Sequence, residues 1–321
     1  MNITVIVPTY RRSQDLARCL QALQQQQRPA NEIIVTVRDI DTETWNFLDN
    51  FDPADLPLKY VTITVPGVVA AMNQGLEAAS GDIIVFTDDD AAPHPNWLAQ
   101  IEPHFLQDDR VGGVGGRDIL QYPQPWDAGT REVVGKLRWY GKVLGEHHRG
   151  VGAAREVDVL KGVNMSFRRS AIADLRFEQR MRGTGAQVHF EIAFCLTLRR
   201  RDWKLIYDPA ILVDHYSAPR FDEDQRHQFN AIAFTNAVHN ETLALLEHLS
   251  VWQRFVFVLW AILVGTHQSP GLAQWLRSFP REGAIATQKW MASIQGRWQG
   301  WQTWRQSQID SATLRTTNES V

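Results

Sequence analysis

Four apolar residues, Ile83-Ile84-Val85-Phe86, run through Thr87 directly into three aspartates, Asp88-Asp89-Asp90. An uncharged, β-branched run of this length, set off by Gly81 at one end and carboxylates at the other, reads as a buried strand. Three further runs share its character: Ile3–Val7, stopped by Pro8, then Glu32–Val37 and Leu58–Val65. Between the first two, Ser13 and Asp15 open a stretch whose apolar positions Leu16, Cys19, Leu20 and Leu23 have helical spacing. Between Leu58–Val65 and Ile83–Phe86, Val68–Ala79 reads as a helix stopped by Ser80-Gly81. Strand, helix, strand in this rhythm predicts parallel pairing with helices over both faces, and so an α/β fold.

In such a sheet, ligands bind at the carboxyl ends of the strands. Three adjacent carboxylates there repel one another unless a positive partner neutralises them. A hard divalent cation with oxygen ligands, Mn2+ or Mg2+, does so and bridges to a diphosphate. The plainer reading is an acidic turn capping a helix near Pro93–Trp97. Charge is uneven along the chain: residues 1–130 hold 8 basic and 18 acidic side chains, whereas residues 131–182 hold 12 and 6. That asymmetry fits a cation on one side and an anionic ligand on the other. No nucleic-acid module is visible, so nucleic acid is excluded as a partner. Cys19 and Cys195, the only cysteines, lie in apolar periodic stretches and read as buried hydrophobes. The N-terminus reads as a strand rather than a signal peptide, which gives a cytoplasmic expectation.

Beyond residue 111 the rhythm loosens. The glycine cluster Gly112-Gly113-Val114-Gly115-Gly116 is followed by no helix-opening pattern, so it is not a dinucleotide fingerprint and a dehydrogenase is excluded. It reads as a strand that another backbone approaches closely. Residues 127–156, basic and dotted with glycine, predict a mobile surface segment. Val157–Arg168 reads as strand and turn, Glu191–Arg201 as a helix, and Trp203–Tyr207 as a last strand closed by Asp208-Pro209. Residues 226–248 read as one amphipathic helix. Val251–Gly265 is apolar but short of the roughly 20 residues a spanning helix needs. Residues 275–305 carry Trp275, Trp290, Trp298, Trp301 and Trp304 among basic side chains, a mixture suited to a lipid interface or to a buried cap. The expected division is residues 1–225 for the catalytic domain and 226–321 for a helical extension, with peripheral membrane contact through 251–305 at the inner face of the plasma membrane.

The motifs in order resemble those of family 2 glycosyltransferases of the GT-A fold. Val5-Ile6-Val7-Pro8-Thr9-Tyr10-Arg11-Arg12 resembles the first strand and nucleotide-binding turn, and Pro66-Gly67-Val68-Val69-Ala70-Ala71-Met72-Asn73-Gln74-Gly75 the glycine–asparagine helix. Gly81-Asp82 with the strand and aspartates resembles the metal motif, and Lys161-Gly162-Val163-Asn164-Met165-Ser166-Phe167-Arg168 the acceptor-side strand. The resemblance covers roughly residues 3–216. It implies a mixed, mainly parallel, Rossmann-like sheet and transfer of a sugar, with inversion, from a nucleotide-diphosphate donor to a glycan or lipid-linked acceptor. Pro8, Thr9, Tyr10, Arg11, Asp39, Asn73, Asp88 and Asp89 would then bind the nucleotide sugar. Gly162 and Asn164 would lie on the acceptor side, and Asp90, Asp88 and His215 would hold the metal.

Where the family places Glu-Asp at a helix start, this chain has Phe190-Glu191. Glu191 is the expected general base, with His189 the alternative two residues away. Met72 stands where many relatives carry arginine. Two competing classes stay open: an inactive nucleotide-sugar or glycan-binding module, and a sugar nucleotidyltransferase. The latter would need a glycine-rich, lysine-bearing loop where Pro8-Thr9-Tyr10-Arg11-Arg12 stands.

Overall fold

Strands buried on both faces read as continuous apolar runs, and the computed structural model bears this out for Ile3–Thr9, Glu32–Arg38 and Ile83–Phe86, whereas Leu58–Ile63 is an edge strand with Lys59, Tyr60 and Thr62 exposed. The structure describes residues 1–124, 127–225 and 228–318, with backbone alone for 311–318. They fall into two units: Met1–Leu137, Val143–Phe177 and Phe194–Pro219 in the first, and Arg138–Lys142, Glu178–Ala193 and Arg220–Val321 in the second.

In chain order the first elements are β1 (Ile3–Thr9), α1 (Ser13–Gln24), β2 (Glu32–Arg38), α2 (Thr42–Asn50), β3 (Leu58–Ile63), α3 (Val68–Ala78), β4 (Ile83–Phe86), β5 (Ala91–Pro93), α4 (Trp97–Gln107) and β6 (Val111–Leu120). They are followed by β7 (Lys136–Leu137), β8 (Val143–Leu144), β9 (Arg155–Val157), β10 (Met165–Arg168), α5 (Arg169–Ile172), α6 (Phe190–Arg200) and β11 (Lys204–His215). The main sheet has the order β3-β2-β1-β4-β10-β6-β11-β5, with β9 also on β11. β1, β2, β3, β4, β6 and β11 run in one direction, and β5, β9 and β10 run against them. The carboxyl ends of β1, β2, β4, β6 and β11 therefore share one edge.

Alternation along each strand divides the core. Ile3, Val5, Val7, Ile83 and Val85 pack with Leu16, Leu20, Trp97 and Phe105 of α1 and α4. Ile6 and Thr36 point the other way, toward α3, where a Cβ on Gly75 would stand 2.6 Å from Ile6 Cγ2. Phe86 and Phe167 join Phe177 and Phe194 on that face, with Phe177 stacked on Phe194 at 4.2 Å. The glycines of β6 admit neighbours closely, as expected: a Cβ on Gly113 would lie 2.8 Å from Leu205 and 3.0 Å from Phe167.

Two expectations need correction here. Residues 127–156 are a packed segment, with the β7–β8 hairpin, β9 and buried Val134, His147 and Arg149. Part of its positive charge is spent internally, Arg149 on Glu146 and Arg155 on the carbonyls of Val151 and Ala153. β11 does not close at Asp208-Pro209 but continues to His215, the pairing with β6 shifting register between Asp208 and Leu212. An irregularity there accommodates the proline's missing N–H.

Buried His147 makes a testable contribution to stability. Its Nε2 donates to Val159 O at 2.9 Å, and burial lowers its pKa from 6.5 to about 4. The unfolded chain then takes up a proton below pH 6.5 that the folded chain refuses until about pH 4. Stability from this group is complete above pH 6.5 and is lost as pH falls toward 4. Between pH 7 and pH 5 the loss is about 2 kcal/mol. Thermal melts of wild type and His147→Gln at both pH values should show a smaller drop for the variant. Equal drops would remove His147 from the account.

The second unit is helical: α7 (Ala231–His248), α8 (Val251–Leu263), α9 (Leu272–Glu282) and α10 (Ala284–Asn318). The expected helix 226–248 starts later, because Asn230 caps it through the amides of Ile232 and Ala233; residues 226–227 lie outside those described. Gly296 and Gly300 of α10 lie against Thr235, His239 and Thr242 of α7, with room for no side chain between. Among the described residues, no helix is long and apolar enough to cross a membrane.

Candidate active site

The edge where the parallel strands end gathers the acidic residues. β4 ends at Phe86, and the chain then turns through Asp88–Asp90 into β5, which pairs Ala91 with His215 of β11. That antiparallel pairing brings His215 beside Asp90, 125 residues earlier in the chain. One ligand atom from each of Asp88, Asp90 and His215 lies within 4.8 Å of the others. Backbone beyond β11 folds over Asp90: the Tyr216 amide donates to its carbonyl and the Ala218 amide to Oδ2, both at 2.9 Å.

This group fits a divalent cation. Two carboxylates offer hard oxygen donors and an imidazole a nitrogen donor, a set that suits a divalent cation. His215 Nε2 is buried, makes no hydrogen bond and faces Asp90 Oδ1 at 3.4 Å, the spacing of two donors turned to a common centre. Its Nδ1 faces Asp118 Oδ2, also at 3.4 Å. Asp118, fully buried on β6, is in turn bonded to Lys161 Nζ. A carboxylate behind a metal-facing histidine orients the ring and selects its tautomer.

The electrostatics follow from burial against pairing. Burial would raise the Asp118 pKa, but Lys161 and His215 outweigh it and hold the carboxylate far below its usual range. Burial would lower His215, but Asp118 and Asp90 raise it to about 9. Burial pushes Asp89 up to about 7 against the pull of Arg12. Arg12 itself would be lowered by burial, and Asp89 and Asp90 raise it.

The expected site residues separate into two groups. Asp88, Asp90 and His215 converge as expected. Pro8, Thr9, Tyr10 and Arg11 end β1 at the same edge, Arg11 left-handed (φ 55°) with its amide on Asp41 Oδ2 at 2.6 Å. Asp39 follows β2 there, accepting from the Ile40 amide. Asp89, expected to meet the nucleotide, is instead buried between Thr9 Oγ1 at 2.8 Å and Arg12 Nη1 at 2.7 Å, so both its oxygens brace the turn. Asn73 is likewise spent: its side-chain amide exchanges two hydrogen bonds with the Phe177 backbone, at 2.9 and 2.8 Å. Asn164 is a buried brace, accepting from Trp97 Nε1 at 2.9 Å and donating to Ile211 O at 3.0 Å. Gly162 is buried in the turn that precedes it.

Glu191 stands in the first turn of α6, and His189, just ahead of the helix, is left-handed at φ 74°. Their segment is pinned by Asn240 of α7, which bonds the backbone of Arg182 in both directions and donates to Val188 O at 3.2 Å. Sequence reading missed Arg12, Asp118, Lys161 and Asn240. Arg12 and Lys161 carried a signal, since each lies within a quoted motif, the Thr9–Arg12 turn and the Lys161–Arg168 stretch.

Comparison with known proteins follows this geometry. A profile described as Glycosyl transferase family 2 matches residues 4–205. Glycosyltransferase AglE of Haloferax volcanii is 26% identical over 273 residues, covering 84% of this chain and 82% of the relative. Among solved structures, the mannosyltransferase PcManGT from Pyrobaculum calidifontis, in complex with GDP-Man and Mn2+, aligns with a TM-score of 0.55 at 16% identity, covering 94% of this chain and 87% of that one. S. aureus TarS 1-349 in complex with UDP-GlcNAc aligns with a TM-score of 0.57 at 16% identity, covering 91% and 79%. The fold is that of GT-A glycosyltransferases.

Proposed function

Because the chain belongs to glycosyl transferase family 2, we propose that it is an inverting, divalent-cation-dependent enzyme moving a sugar from a nucleotide-diphosphate donor to an acceptor hydroxyl. The acceptor is a glycan or a lipid-linked glycan in cell-surface polysaccharide or glycolipid synthesis. The observation that carries this reading is the convergence of Asp88, Asp90 and His215 at the carboxyl edge of the sheet. Asp88, Asp90 and His215 would hold Mn2+ or Mg2+, which would supply positive charge to offset the negative charge of a departing diphosphate.

The chain's own residues do the rest. Tyr10, Arg11 and Asp39, at the ends of β1 and β2, receive the nucleotide. Glu191 takes the acceptor proton as the hydroxyl oxygen bonds to the anomeric carbon and the bond from that carbon to the diphosphate oxygen breaks. The electron pair leaves with the diphosphate, and attack from the opposite face inverts the centre. Arg12, held on Asp89, keeps the aspartate turn in shape.

Asp118 is a positioning residue for His215 in this scheme. Asp118→Asn is expected to weaken Mn2+ binding about 10- to 100-fold, measured as free Mn2+ by electron paramagnetic resonance, with the thermal melt as a check on folding. A variant that binds Mn2+ like wild type while melting lower would assign Asp118 to stability alone.

The class is tested with a panel of nucleotide sugars assayed with Mn2+, with Mg2+ and with chelator. Release of a nucleoside diphosphate from one donor, abolished by chelator, is expected. Metal-independent binding without release from any donor would instead indicate an inactive binding module.

A further inference from the structure

Every exposed residue between 251 and 264 is apolar: Val251, Trp252, Phe255, Leu259, Ile262, Leu263 and Val264. On α8 these positions form one stripe opposite buried Phe257 and Ala261. Ser250 starts the helix sharply with a capping box. After a tight turn, closed by pairing between Gly265 and Pro270, α9 repeats the pattern with Leu272, Leu276 and Phe279 exposed on one side. Arg277 and Arg281 are exposed on its other side, and α9 buries none of its residues. Two successive helices thus turn apolar stripes outward, more than an isolated surface leucine would explain.

We propose that α8 and α9 form a docking surface for an anionic lipid bilayer, on which they lie without crossing it. Charge decides the occupant. Residues 251–305 hold six basic side chains and one acidic, Glu282, which is paired with Lys289 at 2.6 Å. An apolar stripe with arginines on the opposing side, and Trp252 at 66% exposure, is the composition of helices that rest at the acyl–headgroup boundary. A second copy of this chain would offer the basic side chains of this segment no free acidic partner, since Glu282 is already paired with Lys289. The length and apolarity of both helices rule out spanning. Docking concerns the second unit alone and is independent of the transfer reaction.

The experiment is flotation of the full chain with vesicles of phosphatidylcholine alone and with about one third phosphatidylglycerol. Wild type should float with the anionic vesicles and far less with the neutral ones, and added salt should weaken the binding. Phe255→Ser/Leu259→Ser/Leu276→Ser, all at exposed positions, should lower the bound fraction about tenfold with an unchanged melt. Arg277→Glu/Arg281→Glu should lose only the preference for anionic vesicles, which keeps the test decisive if the serine variant fails to fold. Wild type remaining unbound to both vesicles would overturn the proposal. So would a dimer in sedimentation velocity that the serine variant dissolves, since the stripes would then cover each other.

Discussion

Asp90→Asn is expected to lower donor turnover by about 10³-fold while leaving the fold intact. The side chain is buried, accepts from Ala218 N–H at 2.9 Å, and stands 3.4 Å from His215 Nε2 and 3.6 Å from Arg12. Asparagine is isosteric and keeps an oxygen for Ala218, so the backbone beyond β11 has no reason to move. What disappears is the formal charge opposite His215 and one of the hard donors. Removing one of three neighbouring carboxylates also relieves repulsion, so the melting temperature should hold or rise. Asp89→Asn provides the contrast. Its carboxylate binds Thr9 and Arg12, so its loss should lower the melting temperature and leave Mn2+ affinity closer to wild type. Calorimetric Mn2+ titration, melts and turnover on the two variants separate the roles. An Asp90→Asn protein retaining cation-dependent turnover within about tenfold of wild type would remove Asp90 from the site.

The neighbouring aspartates show which parts of such a site are legible in a linear chain. Strand ends are: an apolar run stopping at carboxylates locates Asp88 and Asp90 at a sheet edge by alternation and burial alone. His215 came through family resemblance, since the register between β5 and β11 that brings it to Asp90 leaves no mark in composition. Side-chain pairing across long separations is not legible. Arg12 meets Asp89 across 77 residues and Lys161 meets Asp118 across 43, and each alone resembles an ordinary surface charge. Polar residues in apolar segments mislead in the other direction. Asn73 and Asn164 look like ligands, yet each satisfies buried backbone groups that would otherwise be costly to bury. α2 was missed because its nine residues bury only Thr44 and Leu48, too few to print a period. Its start is set by Asp41, which accepts from the Thr44 amide and hydroxyl.

Replacing Glu191 by glutamine is expected to reduce kcat by roughly 10²- to 10⁴-fold with donor KM within a few-fold of wild type. A base acts on the proton in transit and not on the bound donor, so its loss should fall on turnover. The position favours a carboxylate: Glu191 lies in the first turn of α6, where the helix dipole stabilises negative charge. Phe190, where the family resemblance implies glutamate, is buried and offers no proton acceptor. His189 is the alternative, but its backbone already has a task. Left-handed at φ 74°, it passes its carbonyl to the Ile192 amide at 3.2 Å as the chain enters the helix. His189→Gln should therefore keep turnover within about tenfold, and His189→Gly, which relieves the left-handed conformation, should melt no lower than wild type. A collapse of kcat in His189→Gln with Glu191→Gln near wild type would transfer the proton to the imidazole. Wild-type turnover in both variants would leave the acceptor hydroxyl without a base from this segment, and the displacement scheme would fail at its first proton.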